Sequence, residues 1–186
     1  MCIMLAVFMG KVLKKKTAVA GDEVTYSLML RQMQKAAAIK HKGIASRHAY
    51  SMDGIDYYCG IRDEDIGILR QKYDVIILDI SFENTFDNTN VTLARMVSRL
   101  SACDEKILAG SMLPWKSREC EKKMERIERF LDIRGLKMVT LAACDKEAVS
   151  IIKKHGVEVV LIPFERNPFV ISGENLRSFL ELLKIT

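Results

Sequence analysis

One carboxylate, Asp79, stands at the expected end of a buried strand in the segment YDVIILDISFENTFDN, residues 73–88. In nucleotide-binding α/β proteins, an aspartate at the carboxyl end of such a strand usually orders the magnesium ion of the nucleotide, opposite a glycine-rich phosphate loop. The alternative is a structural aspartate whose side chain caps the following turn. Ser81, just beyond, could position a water molecule or a phosphate oxygen, or serve as an ordinary loop residue. The chemistry of Asp79 therefore depends on a phosphate loop elsewhere in the chain.

The composition is that of one folded domain of ordinary size. The chain has 186 residues, of which 49% are hydrophobic and 28% are charged, so it is long enough to bury a core without metals or disulfides. The formal net charge is +5, and the basic residues are spread out except for the run KVLKKK at residues 11–16. That run could meet phosphates of nucleic acid or lipid. Lysines at a helix end are, however, also favoured by the helix dipole.

Cysteine usage indicates a reducing compartment. The five cysteines are Cys2, Cys59, Cys103, Cys120 and Cys144, and their odd number and wide spacing favour free thiols over a disulfide framework or a zinc site. The three histidines are far apart in sequence, so we expect no metal site. The first residues resemble neither a signal peptide nor a membrane span. These features predict a cytoplasmic protein without a transmembrane segment.

The first part of the chain is predicted to form a buried helix followed by a strand, a helical segment and a hairpin. Residues 1–14 are apolar on nearly every face, which is typical of a helix buried on most of its circumference. Residues 16–21 form a short strand closed by glycine, and residues 22–40 read as mostly helical. The pair Asp53-Gly54 predicts a hairpin with strands near 44–51 and 55–59, which we expect to be an insertion that decorates the domain.

A strict alternation of helices and strands follows. The predicted helices are 63–72, 88–100, 114–133, 145–155 and 173–185, and the predicted strands are 74–80, 106–112, 136–142 and 157–162. The strands are near-continuous apolar runs, as expected when helices cover both faces of a parallel sheet, whereas the helices carry one apolar stripe each. The pattern predicts a three-layer α/β fold with a mostly parallel, doubly wound sheet.

This order of elements resembles the ParA/MinD family of P-loop ATPases, the deviant Walker A class within the larger group that includes the signal recognition GTPases. The matching segments are the apolar helix at residues 1–14, then KTAVAGDEV, YDVIILDIS, KILAGSMLPWK and VLIPFERNPF. The resemblance covers almost the whole chain and implies a single P-loop NTPase-like domain at residues 1–186. It also implies that ATP and magnesium are ligands only if the phosphate loop is present upstream.

The resemblance assigns roles to individual residues. Asp79 would be the magnesium-side carboxylate, and Asp22 would sense the terminal phosphate, although a helix start favours an acidic residue in any case. Pro163 and Phe164 open the loop that the family folds over the adenine, and the same residues could form a rigid turn packed on the core. Trp115 begins a helix at the sheet edge where open α/β sheets bind ligands, so it would line a pocket or partner surface, or pack as a partly buried aromatic.

The phosphate loop itself is missing from the sequence. The chain has no G-x-x-x-x-G-K-[ST] motif and no deviant version of it, and the nearest match, Gly10-Lys11, lies inside the apolar helix. If the family alignment holds, the first strand and the loop belong just before Met1, and that strand normally lies in the interior of the sheet. Its absence would leave strand edges unpaired. This leaves three alternatives. The sheet closes without that strand, a neighbouring chain supplies a strand, or the true start of the protein lies upstream of Met1.

Three functions follow from these observations. The first is a degenerate ParA/MinD-like module that does not hydrolyse ATP and binds a protein partner or a second copy of itself. The second is a fragment of an active ATPase whose phosphate loop lies upstream of Met1. The third is a receiver-like regulatory domain, which the sequence ILDIS alone suggests, although no acidic cluster ends the first strand. We expect no catalytic residues in the chain as written, and nothing beyond the lysine run favours nucleic acid as a partner.

Overall fold

The computed structural model describes residues 1–21, 37–38, 48–80, 90–111, 114–132, 136–140 and 145–185. The chain divides into two compact units, one made of Met1–Asn88 and Asn167–Ile171, the other of Thr89–Arg166 and Ser172–Thr186. Each unit has its own sheet and helices. The single domain expected from the sequence remains a prediction.

The first unit contains a mixed five-stranded sheet. Its strands are β1 Thr17–Gly21, β2 Ala37–Ala38, β3 His48–Met52, β4 Ile55–Cys59 and β5 Val75–Leu78, in the order β2-β3-β4-β1-β5. Strand β1 lies between β4 and β5 and is parallel to both, so that Thr17 is level with Ile55 on one side and Val75 on the other. Strands β2, β3 and β4 are antiparallel to one another. The sheet therefore has a parallel centre and an antiparallel edge.

The hairpin predicted at Asp53-Gly54 is confirmed. Both turn residues have positive φ, 54° for Asp53 and 78° for Gly54, which is the backbone of a two-residue type I′ turn. The hairpin is not a decoration, however, because β4 pairs along its whole length with β1 and so belongs to the main sheet. A second difference concerns the predicted helix at 22–40, since Ala37 and Ala38 pair with β3 as a short strand.

Helices cover both faces of the first sheet. Helix α1 (Cys2–Val7) continues into a π-helical turn at Phe8–Val12, and its residues from Ile3 to Phe8 are all buried, as the apolar sequence predicts. This segment packs so closely that a Cβ atom on Gly10 would lie 2.9 Å from the Ile55 side chain. Helix α2 (Asp63–Lys72) packs Leu69 on the opposite face, in one cluster with Ala18, Ala20 and Tyr58.

The second unit contains three parallel strands. These are β6 Ile107–Gly110, β7 Lys137–Thr140 and β8 Glu158–Leu161, in that order. Four helices alternate with them: α3 Asn90–Ser101, α4 Pro114–Glu128, α5 Asp145–His155 and α6 Gly173–Leu183. The predicted alternation is confirmed, with shifts of a few residues at most ends. Gly156, with φ of 60°, terminates α5, and the Ser172 hydroxyl accepts a 3.3 Å hydrogen bond from the Asn175 N–H at the start of α6.

Helices also lie on both faces of the second sheet. On one face α4 approaches so closely that a Cβ atom on Gly110 would lie 2.4 Å from the Cys120 sulfur. Of the apolar stripe predicted from the sequence, Cys120, Met124, Ile127 and Leu131, the first three are buried, whereas Leu131 is half-buried and follows the end of α4. On the other face Lys184, which follows α6, pairs with Glu158 of β8 at 3.3 Å. The predicted doubly wound α/β architecture is thereby confirmed.

Candidate functional site

Asp79 lies at the carboxyl edge of the first sheet, where the sequence places it. It directly follows β5, and its backbone N–H donates a 2.8 Å hydrogen bond to the carbonyl of Ala20, near the end of β1. The side chain is half-buried, and its carboxylate has no hydrogen-bonding or ionic partner among the described residues. Asp22 and Ser81, the two other residues predicted near this position, lie outside the described ranges.

Helix α1 begins at the same edge. Because Gly10 sits beside Thr17 and Ile55 at the starts of their strands, α1 runs antiparallel to β1 and starts near the strands' carboxyl ends. No side chain caps its first turn, and that turn contains no acidic residue. Cys2 and Ile3 open the helix. Consequently the first turn of α1 brings no charged side chain to the vicinity of Asp79.

The one glycine–lysine pair at the front of the chain lies at the opposite edge. The Lys11 ammonium forms a 2.6 Å ion pair with the carboxylate of Asp53, in the hairpin turn that precedes β4. Asp79 follows Val75 by four residues, and Val75 is level with the start of β4. At about 3.3 Å per residue, this places Asp79 at least ~13 Å farther along the strands. Lys11 therefore cannot contact phosphates bound beside Asp79.

The loop after β8 combines an exposed aromatic side chain with a partly buried polar pair. Pro163 is half-buried, whereas the Phe164 side chain is 76% exposed, so it does not pack on the core. The Asn175 side-chain amide donates a 3.3 Å hydrogen bond to the carboxylate of Glu165. The Asn175 carbonyl oxygen is buried without a hydrogen-bonding partner. A planar group with an amino substituent would suit these side chains, since Phe164 offers a ring face and Glu165 an acceptor.

Glu165 and Asn175 were not predicted as site residues from the sequence. Asn175 is the third residue of α6, after the Ser172 cap, and such positions are normally explained by capping alone. Trp115 is the second residue of α4 as predicted, but its side chain lies outside the described part of the structure. Asp79 belongs to the first unit, and Trp115, Pro163 and Phe164 belong to the second.

A second polar cluster, also missed from the sequence, lies near the amino end of the first sheet. The Tyr73 hydroxyl donates a short hydrogen bond to the carboxylate of Asp56, and 2.7 Å separates the hydroxyl oxygens of Tyr73 and Tyr58. Burial, followed by the hydrogen bond to Asp56, raises the pKa of Tyr73 above its ordinary value of 10.0, and burial also raises that of Tyr58. The Lys16 ammonium lies 5.4 Å from the centre of the Tyr73 ring. This cluster ties β4 to the start of β5.

The described ranges contain neither a metal-binding cluster nor a membrane-spanning helix. Among those residues no group of three or more His, Cys, Asp or Glu side chains could hold a metal ion. The buried His155 is instead engaged through Nδ1, which lies 2.9 Å from the Glu128 carboxylate. None of the described helices is long and apolar enough to cross a membrane.

Comparison with solved structures identifies the fold as that of the ParA/MinD-like P-loop ATPases. The MinD cell division protein of Aquifex aeolicus matches with a TM-score of 0.64 and 11% sequence identity, over 100% of this chain and 92% of that one. The same organism's MinC:MinD cell division protein complex contains a match with a TM-score of 0.63 and 12% identity, over 99% of this chain and 91% of that one. No protein-family model matches the sequence, and no curated protein sequence matches it either.

Proposed function

We propose that this chain is a degenerate ParA/MinD-like domain that does not hydrolyse ATP and acts as a binding or regulatory module. The observation that carries the proposal is the Lys11–Asp53 ion pair, because it holds the lysine of the Gly10-Lys11 pair, the nearest sequence match to a phosphate loop, at the amino edge of the sheet. Phosphoryl transfer depends on positioning the phosphates and neutralising their charge. Among the described side chains at the carboxyl edge, the Asp79 carboxylate repels phosphates and supplies neither requirement.

The partner of this module is a protein, either a different chain or a second copy of this one. Support comes from the complex in which one of the similar MinD chains was solved, where it is bound to another protein, MinC. The exposed Phe164 supplies an apolar contact of the type that protein interfaces use. We place the protein in the cytoplasm, consistent with free thiols at the described cysteines.

The proposal is tested by measuring phosphate release from ATP in the presence of magnesium. The 186-residue chain should release no more phosphate than its Asp79→Asn variant, with Asp104→Asn as a control that removes one exposed carboxylate elsewhere. Release that is lost in Asp79→Asn and kept in Asp104→Asn would contradict the proposal. Sedimentation of the same chain with and without ATP should give one oligomeric state.

A second candidate is an active ATPase whose first strand and phosphate loop are encoded before Met1. The half-buried Asp79 carboxylate favours this candidate, since it keeps its position at the strand end without a structural partner among the described residues. Translation of the upstream DNA in frame distinguishes the two. A strand followed by a glycine-rich, lysine-containing loop would replace the first proposal with the second. The receiver-like alternative has no support from the MinD-like fold.

A further inference from the structure

Three polar side chains near the amino end of the first sheet form a chain of hydrogen bonds that the nucleotide chemistry does not use. The Tyr73 hydroxyl has a single hydrogen, which it donates to the carboxylate of Asp56. In the 2.7 Å bond between the two tyrosines, the Tyr58 hydroxyl must therefore be the donor. The Tyr73 oxygen thus has an acceptor for its own proton and a donor that stays bonded to it if the proton leaves.

The surroundings of Tyr73 shield its ring from solvent but leave a route for the proton. Tyr73 is 8% exposed and Tyr58 is 1% exposed, whereas Asp56 is half-buried and can exchange a proton with water. Burial and the bond to Asp56 raise the pKa of Tyr73, so simple ionisation is disfavoured. Removal of an electron, by contrast, makes a phenol strongly acidic, and a base already in hydrogen-bond contact can take the proton.

We propose that Tyr73 is a one-electron donor whose hydroxyl proton passes to Asp56 as the electron leaves. The acceptor is an outer-sphere one-electron oxidant that carries negative charge. The O–H bond of Tyr73 breaks, an O–H bond forms on Asp56, and the oxidant is reduced by one electron, which leaves a neutral tyrosyl radical. The proposal does not rest on the proposed function, because neither ATP nor Asp79 takes part in this step.

The charge beside Tyr73 is the reason for an anionic oxidant. The ammonium of Lys16, an exposed residue, lies 5.4 Å from the centre of the Tyr73 ring. Positive charge at the surface raises the local concentration of anionic reactants. Electrons pass between groups that are not in direct contact, so the oxidant does not have to reach the buried hydroxyl.

Tyr57 provides an internal comparison within the same strand. It is next to Tyr58 and so lies on the opposite face of β4. It is also 1% exposed, but its hydroxyl has no hydrogen-bonding partner among the described residues. A radical at Tyr57 would have no base to take its proton. The hydrogen-bond chain, rather than burial, therefore selects Tyr73 as the donor.

The test is rapid-freeze electron paramagnetic resonance of the full chain mixed with hexachloroiridate(IV), an anionic one-electron oxidant. A tyrosyl radical signal should form in the wild type and in the matched control Tyr57→Phe, and should be lost in Tyr73→Phe. Asp56→Asn, which accepts a hydrogen bond but not the proton, should lose most of the signal. Lys16→Gln should slow formation of the signal more than Lys122→Gln, which removes an exposed lysine of α4.

A second readout needs no substitution, so it does not depend on the stability of any variant. The signal of the wild type should form more slowly in deuterated water, because a proton moves with the electron. A signal of equal size in Tyr73→Phe would overturn the proposal. So would a wild-type rate that is equal in light and deuterated water, or a signal that is lost in Tyr57→Phe.

Discussion

At the scale of single residues, aspartate side chains have different surroundings at the two edges of the first sheet. Asp53 and Asp56, at the amino edge, are held by Lys11 and Tyr73, and these contacts explain their positions structurally. Asp79, at the carboxyl edge, has no such explanation among the described residues. Its position therefore fits the proposal that a ligand once lay beside this carboxylate.

Tyr73 should make the first unit less stable as the pH rises into the alkaline range. Burial and the bond to Asp56 raise its pKa, so the folded chain keeps the proton when an unfolded tyrosine, with a pKa of 10.0, loses it. The stabilisation is full below pH 10 and declines as pH rises above it. Urea denaturation should show a free energy of unfolding that falls as the pH rises above 10.

Tyr73→Phe should weaken that alkaline dependence and cost about 1–2 kcal/mol at neutral pH, because the hydrogen bonds of the Tyr73 hydroxyl with Asp56 and Tyr58 are lost. The control is Tyr50→Phe, on the opposite face of the sheet by register. An equal loss in both variants, or an unchanged alkaline fall in Tyr73→Phe, would show that the cluster does not provide this stability.

At the scale of elements, a helix that packs closely on a sheet requires a small residue at the point of contact. Gly110→Ala would place its Cβ atom 2.4 Å from the Cys120 sulfur, so α4 must shift away from β6. We expect a loss of about 1–3 kcal/mol, as for other overpacked cores, and partial recovery in Gly110→Ala/Cys120→Ala. Urea denaturation measures both.

The matched control is Gly67→Ala in the middle of α2, where an added Cβ meets nothing within 4 Å. That change should stabilise the protein by about 0.5–1 kcal/mol, because alanine favours the helix. A Gly110→Ala variant as stable as the wild type would contradict the described packing of α4 on β6.

Most helices and strands could be predicted from the sequence because their signals are local. Helices α2 and α5 were predicted with their observed bounds, since acidic residues open both and Gly156 ends the second. The position of β4 beside β1 could not be predicted, because strand order depends on contacts between distant segments. The Asp56–Tyr58–Tyr73 cluster and the Glu165–Asn175 pair were missed for the same reason.

At the scale of the whole molecule, a MinD-like fold is preserved while sequence identity is as low as 11%. Hydrophobic patterning and strand pairing can maintain a fold through such divergence, whereas a phosphate site depends on a few specific residues. We propose that this chain departs from the family's pattern at the phosphate site. Fold similarity therefore supports common architecture here and does not by itself support ATP hydrolysis.

We propose that the 186-residue chain cannot hold the phosphates that Asp79 would serve. Isothermal titration calorimetry with ATP and magnesium tests it most directly, with the Asp79→Asn variant titrated in parallel. We predict no saturable heat from either protein beyond that of dilution. Saturable binding at micromolar concentration, lost in Asp79→Asn, would contradict the claim and show that these residues retain a nucleotide site.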